Sequence, residues 1–315
     1  MDYVLSCSST CDLDREMLRE NNIEFACFKY IIDGKEYEDN FYQSYDYRKF
    51  YEDISNGMKP TTSQVGYGDY IEFFEKFLKE GKDVLYIDLS SGISGDYNTL
   101  KMVVEELNEK YENKIYAVDS LCASSGQGML VMYAAENKKN GMSIEDNYKW
   151  CEDNKLNIQH WFISTDLTSF VRGGRISKTS GFFGTMLKIC PLMTVATDGT
   201  LLPLEKIRTK SKAMQGQINK MIELADNGKD YDGLCYICVS QIDSDAEILA
   251  AMVRENFPKV KDVKIFHIGT TIGSHTGPGT ISLFFKGARR TFKATKSSGR
   301  LLASLMCIIN LIIIL

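Results

Sequence analysis

A two-domain α/β fold is what this sequence predicts, and three observations predict it. The first half repeats one pattern: an apolar, β-rich run, then a loop of small hydroxyl residues, then a helical period. After about residue 155 the pattern changes to strands separated by two longer amphipathic helices, as in an α+β unit. The chain's 315 residues, 44% hydrophobic and 25% charged, suffice for roughly two globular domains with cores of their own.

Residues 3–5 read as the first strand, with a hydroxyl-rich loop over 6–10 and a helix starting near Asp12. Residues 25–51, rich in aromatics and acids, read as a short hairpin and a connecting helix around 35–44. Pro60-Thr61-Thr62-Ser63-Gln64 reads as a turn before a helix over 69–78. The second strand is 84–87, followed by Ser90-Ser91-Gly92-Ile93-Ser94-Gly95 and a helix through Glu106; the third is 115–118, with a helix through Ala135. In the second half, strands are predicted near 161–163, 192–197, 233–239, 263–268 and 280–285, and helices near 211–225 and 245–256. The organisation expected is therefore residues 1–158, residues 159–286, and a tail over 287–315.

Several function classes are disfavoured. A net charge of −5 argues against nucleic acid as a partner, because a phosphate-reading surface needs a concentrated basic face. The nine cysteines are scattered, as for reduced thiols, and the opening Met1-Asp2-Tyr3-Val4-Leu5-Ser6 has no signal-peptide pattern, so a cytoplasmic protein is expected. Cys235 and Cys238 lie in an apolar strand whose alternation points them to opposite faces, and no second ligand pair stands at zinc spacing. Gly126-Gln127-Gly128 lacks the third glycine of a dinucleotide loop, and no Gly-Lys-Ser/Thr phosphate loop is present. No metal and no cofactor are predicted.

What remains is an anion site. Loops beyond the carboxyl ends of parallel strands collect ligands, and all three βα loops here are hydroxyl-rich. Gly92 and Gly95 let backbone approach a ligand while Ser94 adds a hydroxyl donor, although Ser94 or Asp96 would equally serve as an ordinary helix cap. His275 stands in Gly273-Ser274-His275-Thr276-Gly277-Pro278-Gly279, read as a tight loop between two strands. Arg172 and Arg175 flank Gly173-Gly174, and arginine grips a carboxylate or phosphate with two parallel bonds. Phe182, Phe183, Met186 and Leu187 are the apolar neighbours that an acyl chain needs, and equally what a core helix looks like. Gly92-Ile93-Ser94-Gly95 also approaches a nucleophile elbow, so a serine hydrolase acting on acyl esters through Ser94 and His275 is the alternative function, and a small-anion regulatory module a third.

Over about residues 1–286 the chain resembles the DegV family of fatty-acid-binding proteins. The motifs that carry the resemblance occur in the family's order: Ser8-Ser9-Thr10-Cys11-Asp12-Leu13, Pro60-Thr61-Thr62-Ser63-Gln64, Ser90-Ser91-Gly92-Ile93-Ser94-Gly95-Asp96-Tyr97, Gly173-Gly174-Arg175-Ile176 and His275-Thr276-Gly277-Pro278-Gly279. The resemblance implies a Rossmann-like N-terminal domain with a parallel sheet, a C-terminal α/β domain, and a fatty acid bound between them. It implies no catalysis by this chain alone, but a role as the acyl-carrying subunit of a bacterial fatty acid kinase, whose separate ATP-binding subunit phosphorylates the bound carboxylate for phospholipid metabolism. Carried over residue by residue, Thr62, Ser63, Ser94, Gly95, Arg175 and His275 would hold the carboxylate. Phe182, Phe183, Met186 and Leu187 would line the acyl chain, and Arg208 matches a family arginine at the kinase contact or transfer site. Val65 and Gly66 stand where the family often has Pro-Ser. Asp96 stands where Thr is usual and is expected to act as a helix-start charge.

Beyond Lys286 the sequence leaves the family pattern, with basic residues and then an apolar stretch over 301–315. As a helix that stretch would reach about 22 Å, short of a bilayer core of roughly 30 Å. The alternatives are transient contact with a membrane surface, or a loosely packed extension without a role.

Overall fold

The computed structural model describes residues 3–177 and 189–293. Its first half contains strands β1 (Val4–Ser8), β2 (Ile23–Ala26), β3 (Lys29–Ile32), β4 (Lys35–Glu38), β5 (Thr61–Ser63), β6 (Val84–Asp88) and β7 (Ile115–Asp119). With them come helices α1 (Arg15–Glu20), α2 (Tyr47–Ser55), α3 (Tyr67–Leu78), α4 (Asp96–Lys110), α5 (Ser125–Lys139) and α6 (Ile144–Asn154). Strands β2, β1, β6 and β7 form, in that order, a wholly parallel sheet, while β4, β3 and β5 form a small antiparallel one. Each residue of β6 is buried, as expected of a central parallel strand covered on both faces.

The second half contains β8 (Ile158–Ser164), α7 (Thr168–Arg172), β9 (Leu192–Val195), β10 (Leu201–Glu205), α8 (Lys210–Leu224), β11 (Leu234–Val239), α9 (Asp243–Asn256), β12 (Asp262–His267), α10 (Thr270–Thr276) and β13 (Thr280–Lys286). Its six strands run in the order β10-β9-β8-β13-β11-β12, all neighbours antiparallel except β11 and β12. Helices α8 and α9 cover one face of this sheet, whose Trp161, Ile163, Ile281 and Leu283 enter that core. The other face meets α5, which packs on strands of both sheets and is buried around most of its circumference, so one helix belongs to two layers. Cys235 and Cys238 face opposite cores, as their alternation predicts.

Three local expectations are corrected. The segment read as a helix over 35–44 is instead strand β4 followed by a turn region, and the helix lies later, at α2, where Asp46 accepts a hydrogen bond from Lys49 N at 2.9 Å. The signal for the hairpin was Asp33-Gly34: both residues take positive φ, 49° and 79°, the conformation of a two-residue hairpin turn. Thr61–Ser63 is not a turn but strand β5, paired with β3. His275 sits in the last turn of α10, and the chain breaks out of that helix at Gly277 (φ 68°), where a Cβ would come within 2.7 Å of Ser169 Oγ. Helix α6 and edge strand β10, which carries Pro203, were not anticipated. The start of the tail is not loosely packed: Arg290 is 2% exposed and donates to Leu121 O (2.7 Å) and Val195 O (3.2 Å), joining the two halves.

Candidate functional site

Between the carboxyl edge of the parallel sheet and the face of the six-stranded sheet opposite α8 and α9 lies a cavity of about 230 Å³. Thr62, Ser63, Ser94, Gly95, Arg175 and His275 all line it, so residues spread over more than two hundred positions converge. β5 presents Thr62 and Ser63, the loop into α4 presents Ser94 and Gly95, and α10 presents His275. Apolar walls come from Phe28, Leu89, Ile93, Phe162, Phe170, Val195, Ile272 and Phe284. The cavity therefore has a polar cluster and an extended apolar lining, the composition of a site for an amphipathic molecule.

The hydrogen bonds fix what the polar cluster offers. Arg175 Nη1 lies 3.4 Å from His275 Nδ1 and, as an obligate donor, assigns that nitrogen as the acceptor. The imidazole proton then sits on Nε2, which donates to Thr62 Oγ1 at 2.7 Å, leaving the Thr62 hydroxyl proton to point elsewhere. Burial, helped by the cations of Arg175 and Arg172, lowers the His275 pKa to about 3, so the ring is neutral near pH 7. Ser94 Oγ accepts from Asp96 N at 3.2 Å, so Ser94 also keeps its proton to donate. It both satisfies a helix amide and lines the cavity. Arg175 is held by Nε to Ile93 O (3.1 Å) and Nη1 to Gly173 O (2.6 Å), while Nη2 makes no hydrogen bond among the described residues. The hydroxyls of Thr62 and Ser94 and one guanidinium edge are thus among the donors left for an anion.

The Gly-Gly-Arg motif has a steric reason. Gly174 takes φ +73°, and a Cβ on Gly173 would stand 2.2 Å from His275 Nδ1, so only glycine lets this turn lie against the imidazole. Arg172 braces the same helix through Nη2 to Ser274 O at 3.1 Å. A hydrolase would need His275 to serve Ser94, yet its ring nitrogens engage Thr62 and Arg175, and among the described residues no carboxylate orients it.

A family model described as an uncharacterised protein of the DegV family matches residues 7–287. The chain belongs to the DegV family. A DegV domain-containing protein of Clostridium perfringens is 38% identical over 286 residues, 90% of this chain and 97% of the relative. Among solved structures, the fatty-acid-binding DegV of Bacillus subtilis superposes with a TM-score of 0.80 at 27% identity, covering 91% of this chain and 100% of that one. A DegV family protein of Thermus thermophilus, described for its fatty acid binding, gives 0.81 at 25% identity, with 91% and 100% covered. The two-domain α/β architecture is that of DegV proteins.

Not every DegV motif of this chain reaches the cavity. The opening loop turns its hydroxyls inward: Thr10 Oγ1 donates to Gln127 Oε1 (2.9 Å), Gln127 Nε2 donates to Ser8 Oγ (2.9 Å), and Ser9 Oγ accepts from Phe28 N (3.1 Å). Asp12 accepts from Gly269 N at 2.9 Å and Ser124 Oγ at 2.5 Å, and burial pushes its carboxyl well above the usual range. Asp96 opens α4, as expected, but it is not a solvent-facing charge. It is wholly buried, turned away from the cavity, and accepts from Val65 N and Tyr70 OH. Arg208 is exposed on the connection between β10 and α8, outside the cavity lining. Phe182, Phe183, Met186 and Leu187, and the apolar stretch over 301–315, lie outside the described residues. Among the described residues no helix is long and apolar enough to cross a membrane, and no cluster of three or more His, Cys, Asp or Glu could hold a metal ion.

The sequence reading missed the inner wall. His160, Phe162, Thr280, Ser282 and Phe284 line the cavity from β8 and β13. Their signal was present in Thr280–Lys286, where Thr280, Ser282 and Phe284 alternate with the apolar Ile281, Leu283 and Phe285, so one face is not ordinary core. His160 is fully occupied, with Nδ1 at 3.0 Å from Ile158 O and Nε2 accepting from Ala123 N at 3.3 Å.

Proposed function

We propose that this chain binds a long-chain fatty acid in the cavity between its two sheets, with the carboxylate held by Thr62, Ser63, Ser94, Gly95, Arg175 and His275. The observation that carries this reading is the pairing, in one cavity, of hydroxyl and guanidinium donors with an aromatic and aliphatic lining. Burial of the acyl chain supplies affinity at about 0.8 kcal/mol per CH₂, and the donors fix which end enters where. Structures of the Bacillus subtilis and Thermus thermophilus relatives are described as fatty-acid-binding, which supports the same ligand class here.

In this reading the chain is a carrier. It presents the carboxylate to a separate ATP-binding kinase subunit for acyl-phosphate formation, and exposed Arg208 serves the contact or transfer. Phe182, Phe183, Met186 and Leu187 complete the acyl-chain lining. Native mass spectrometry of the purified protein tests the ligand class: a stoichiometric fatty acid supports it, whereas a bound polar anion without a chain, or ester turnover abolished by Ser94→Ala, would overturn it. Phosphoryl transfer from ATP to the bound fatty acid in the presence of the kinase subunit tests the carrier role.

A further inference from the structure

Asp96 stands behind the polar cluster, and its three hydrogen bonds reach both loops that build it. Its backbone N–H donates to Ser94 Oγ at 3.2 Å, holding the hydroxyl of one loop. Its Oδ1 accepts from Val65 N at 2.8 Å, and Val65 directly follows the Thr62-Ser63-Gln64 run that lines the cavity. Oδ2 accepts from Tyr70 OH at 2.5 Å, on the helix that continues from that run. A second tie runs parallel, from Gln64 Nε2 to Thr99 Oγ1 at 2.6 Å, one turn further along the helix that Asp96 begins.

Residue 96 has 0% exposure and is absent from the cavity lining, so its carboxyl group does not touch a ligand there. An acid buried this deeply with two donors is a costly choice unless its geometry matters. Asp88, also 0% exposed, faces it from the end of β6, and burial together with Asp96 pushes the Asp88 carboxyl well above the usual range, so the pair does not carry two charges.

We infer that Asp96 is a positioning residue for the anion site: it fixes the spacing between the Ser94 hydroxyl and the Thr62 hydroxyl, and so sets recognition of the carboxylate without contacting it. This rests on the reading of the cavity as a fatty-acid site. The geometry behind it is one residue whose main chain holds one donor loop and whose side chain holds the other.

The experiment measures binding of palmitic, stearic and oleic acids and of their methyl esters to the full chain and to Asp96→Ala, Asp96→Asn and Tyr70→Phe. The wild-type chain should prefer acid to ester. Asp96→Ala should weaken acid binding about tenfold while leaving ester binding unchanged, because only the head group needs the spacing. Asp96→Asn keeps an acceptor for Val65 N and should recover most of the loss. Tyr70→Phe removes one bond to the same carboxylate with little change of shape, should show a smaller loss, and keeps the idea testable if Asp96→Ala does not fold. Equal weakening of acid and ester in these variants would mean general damage and would overturn the positioning role. So would undiminished acid preference in Asp96→Ala. If the wild-type chain itself does not distinguish acid from ester, the carboxylate reading falls first and this inference with it.

Discussion

The loops after β1 and β6 leave neighbouring strands of one parallel sheet, and both carry serines and end near an aspartate. After β1, Ser8, Thr10 and Asp12 are consumed by partners inside the protein: Gln127 and Ser124 of the α5 region, and Gly269 at the entry to α10. After β6, Ser90 and Ser91 are likewise consumed, by Gly199 O and Asp119, but Ser94 keeps its proton and opens onto the cavity. The residue types are the same. The difference lies in what stands opposite: α5 is packed against the first loop, with Cys11 O only 2.5 Å from where a Cβ on Gly128 would stand, whereas the second loop faces a gap between sheets. A buried hydroxyl is therefore structural or functional according to whether the protein already satisfies it.

The largest effect that sharpens this contrast is expected in the first loop. Gln127→Ala removes the bonds to Thr10, Ser8 and Ile87 O at a fully buried position, and should cost about 2–4 kcal/mol of stability in urea unfolding. Fatty-acid affinity measured on the folded variant should stay within about threefold. A large loss of affinity with intact stability would erase the distinction between the loops.

The converse belongs to the second loop. Ser94→Ala should lower fatty-acid affinity roughly 10- to 100-fold, or about 1.5–3 kcal/mol, because it removes a donor to a charged carboxylate. Its effect on unfolding should be smaller than that of Gln127→Ala, since a single bond from Asp96 N is lost at a partly open site. Isothermal titration with one fatty acid reads this out, and unchanged affinity would remove Ser94 from the site.

Titration separates the two regions again. His275 has a folded pKa of about 3 against an unfolded value near 6.5, so protonation favours the unfolded chain. Its contribution is fully present above about pH 6.5 and is lost as pH falls from there towards 3. Asp12, raised by burial, has the opposite sign: the folded chain binds its proton more tightly, so acidification stabilises. Wild-type stability should therefore fall relative to His275→Gln by up to about 1.4 kcal/mol per pH unit below pH 6.5, whereas Asp12→Asn should remove an effect that grows towards alkaline pH. Parallel pH profiles of wild type and His275→Gln would show that the ring is not held neutral.

How much of this was legible in the sequence follows from the same contrast. The βα repeat and the apolar strands carry local signals, as do Ser94, Gly95, Arg175 and His275, whereas Thr62 and Ser63 were reached only through the family resemblance; the structure brings all six together. The inward use of Ser8, Thr10 and Asp12 was not legible, because it depends on Gln127 and Gly269, far away in the chain. Asp96 was legible only in part for a related reason: its place at a helix start was, but the donors that claim its carboxylate come from Val65 and Tyr70. The helix holding His275 was hidden because Gly273, inside it, and Gly277, Pro278 and Gly279, just beyond its end, read together as loop.

The smallest expected effect concerns a residue that belongs to neither loop. Arg208 is exposed and makes no hydrogen bond or ion pair among the described residues, so none of these requires its guanidinium. Arg208→Ala should shift stability by less than about 0.5 kcal/mol and leave fatty-acid affinity unchanged. In the carrier reading, the same variant should slow phosphoryl transfer from the kinase subunit, an effect that falls as salt rises if the arginine contributes through charge. A variant that transfers at the wild-type rate at low salt would take Arg208 out of the partner contact while leaving both loops, and the cavity between the sheets, as they stand.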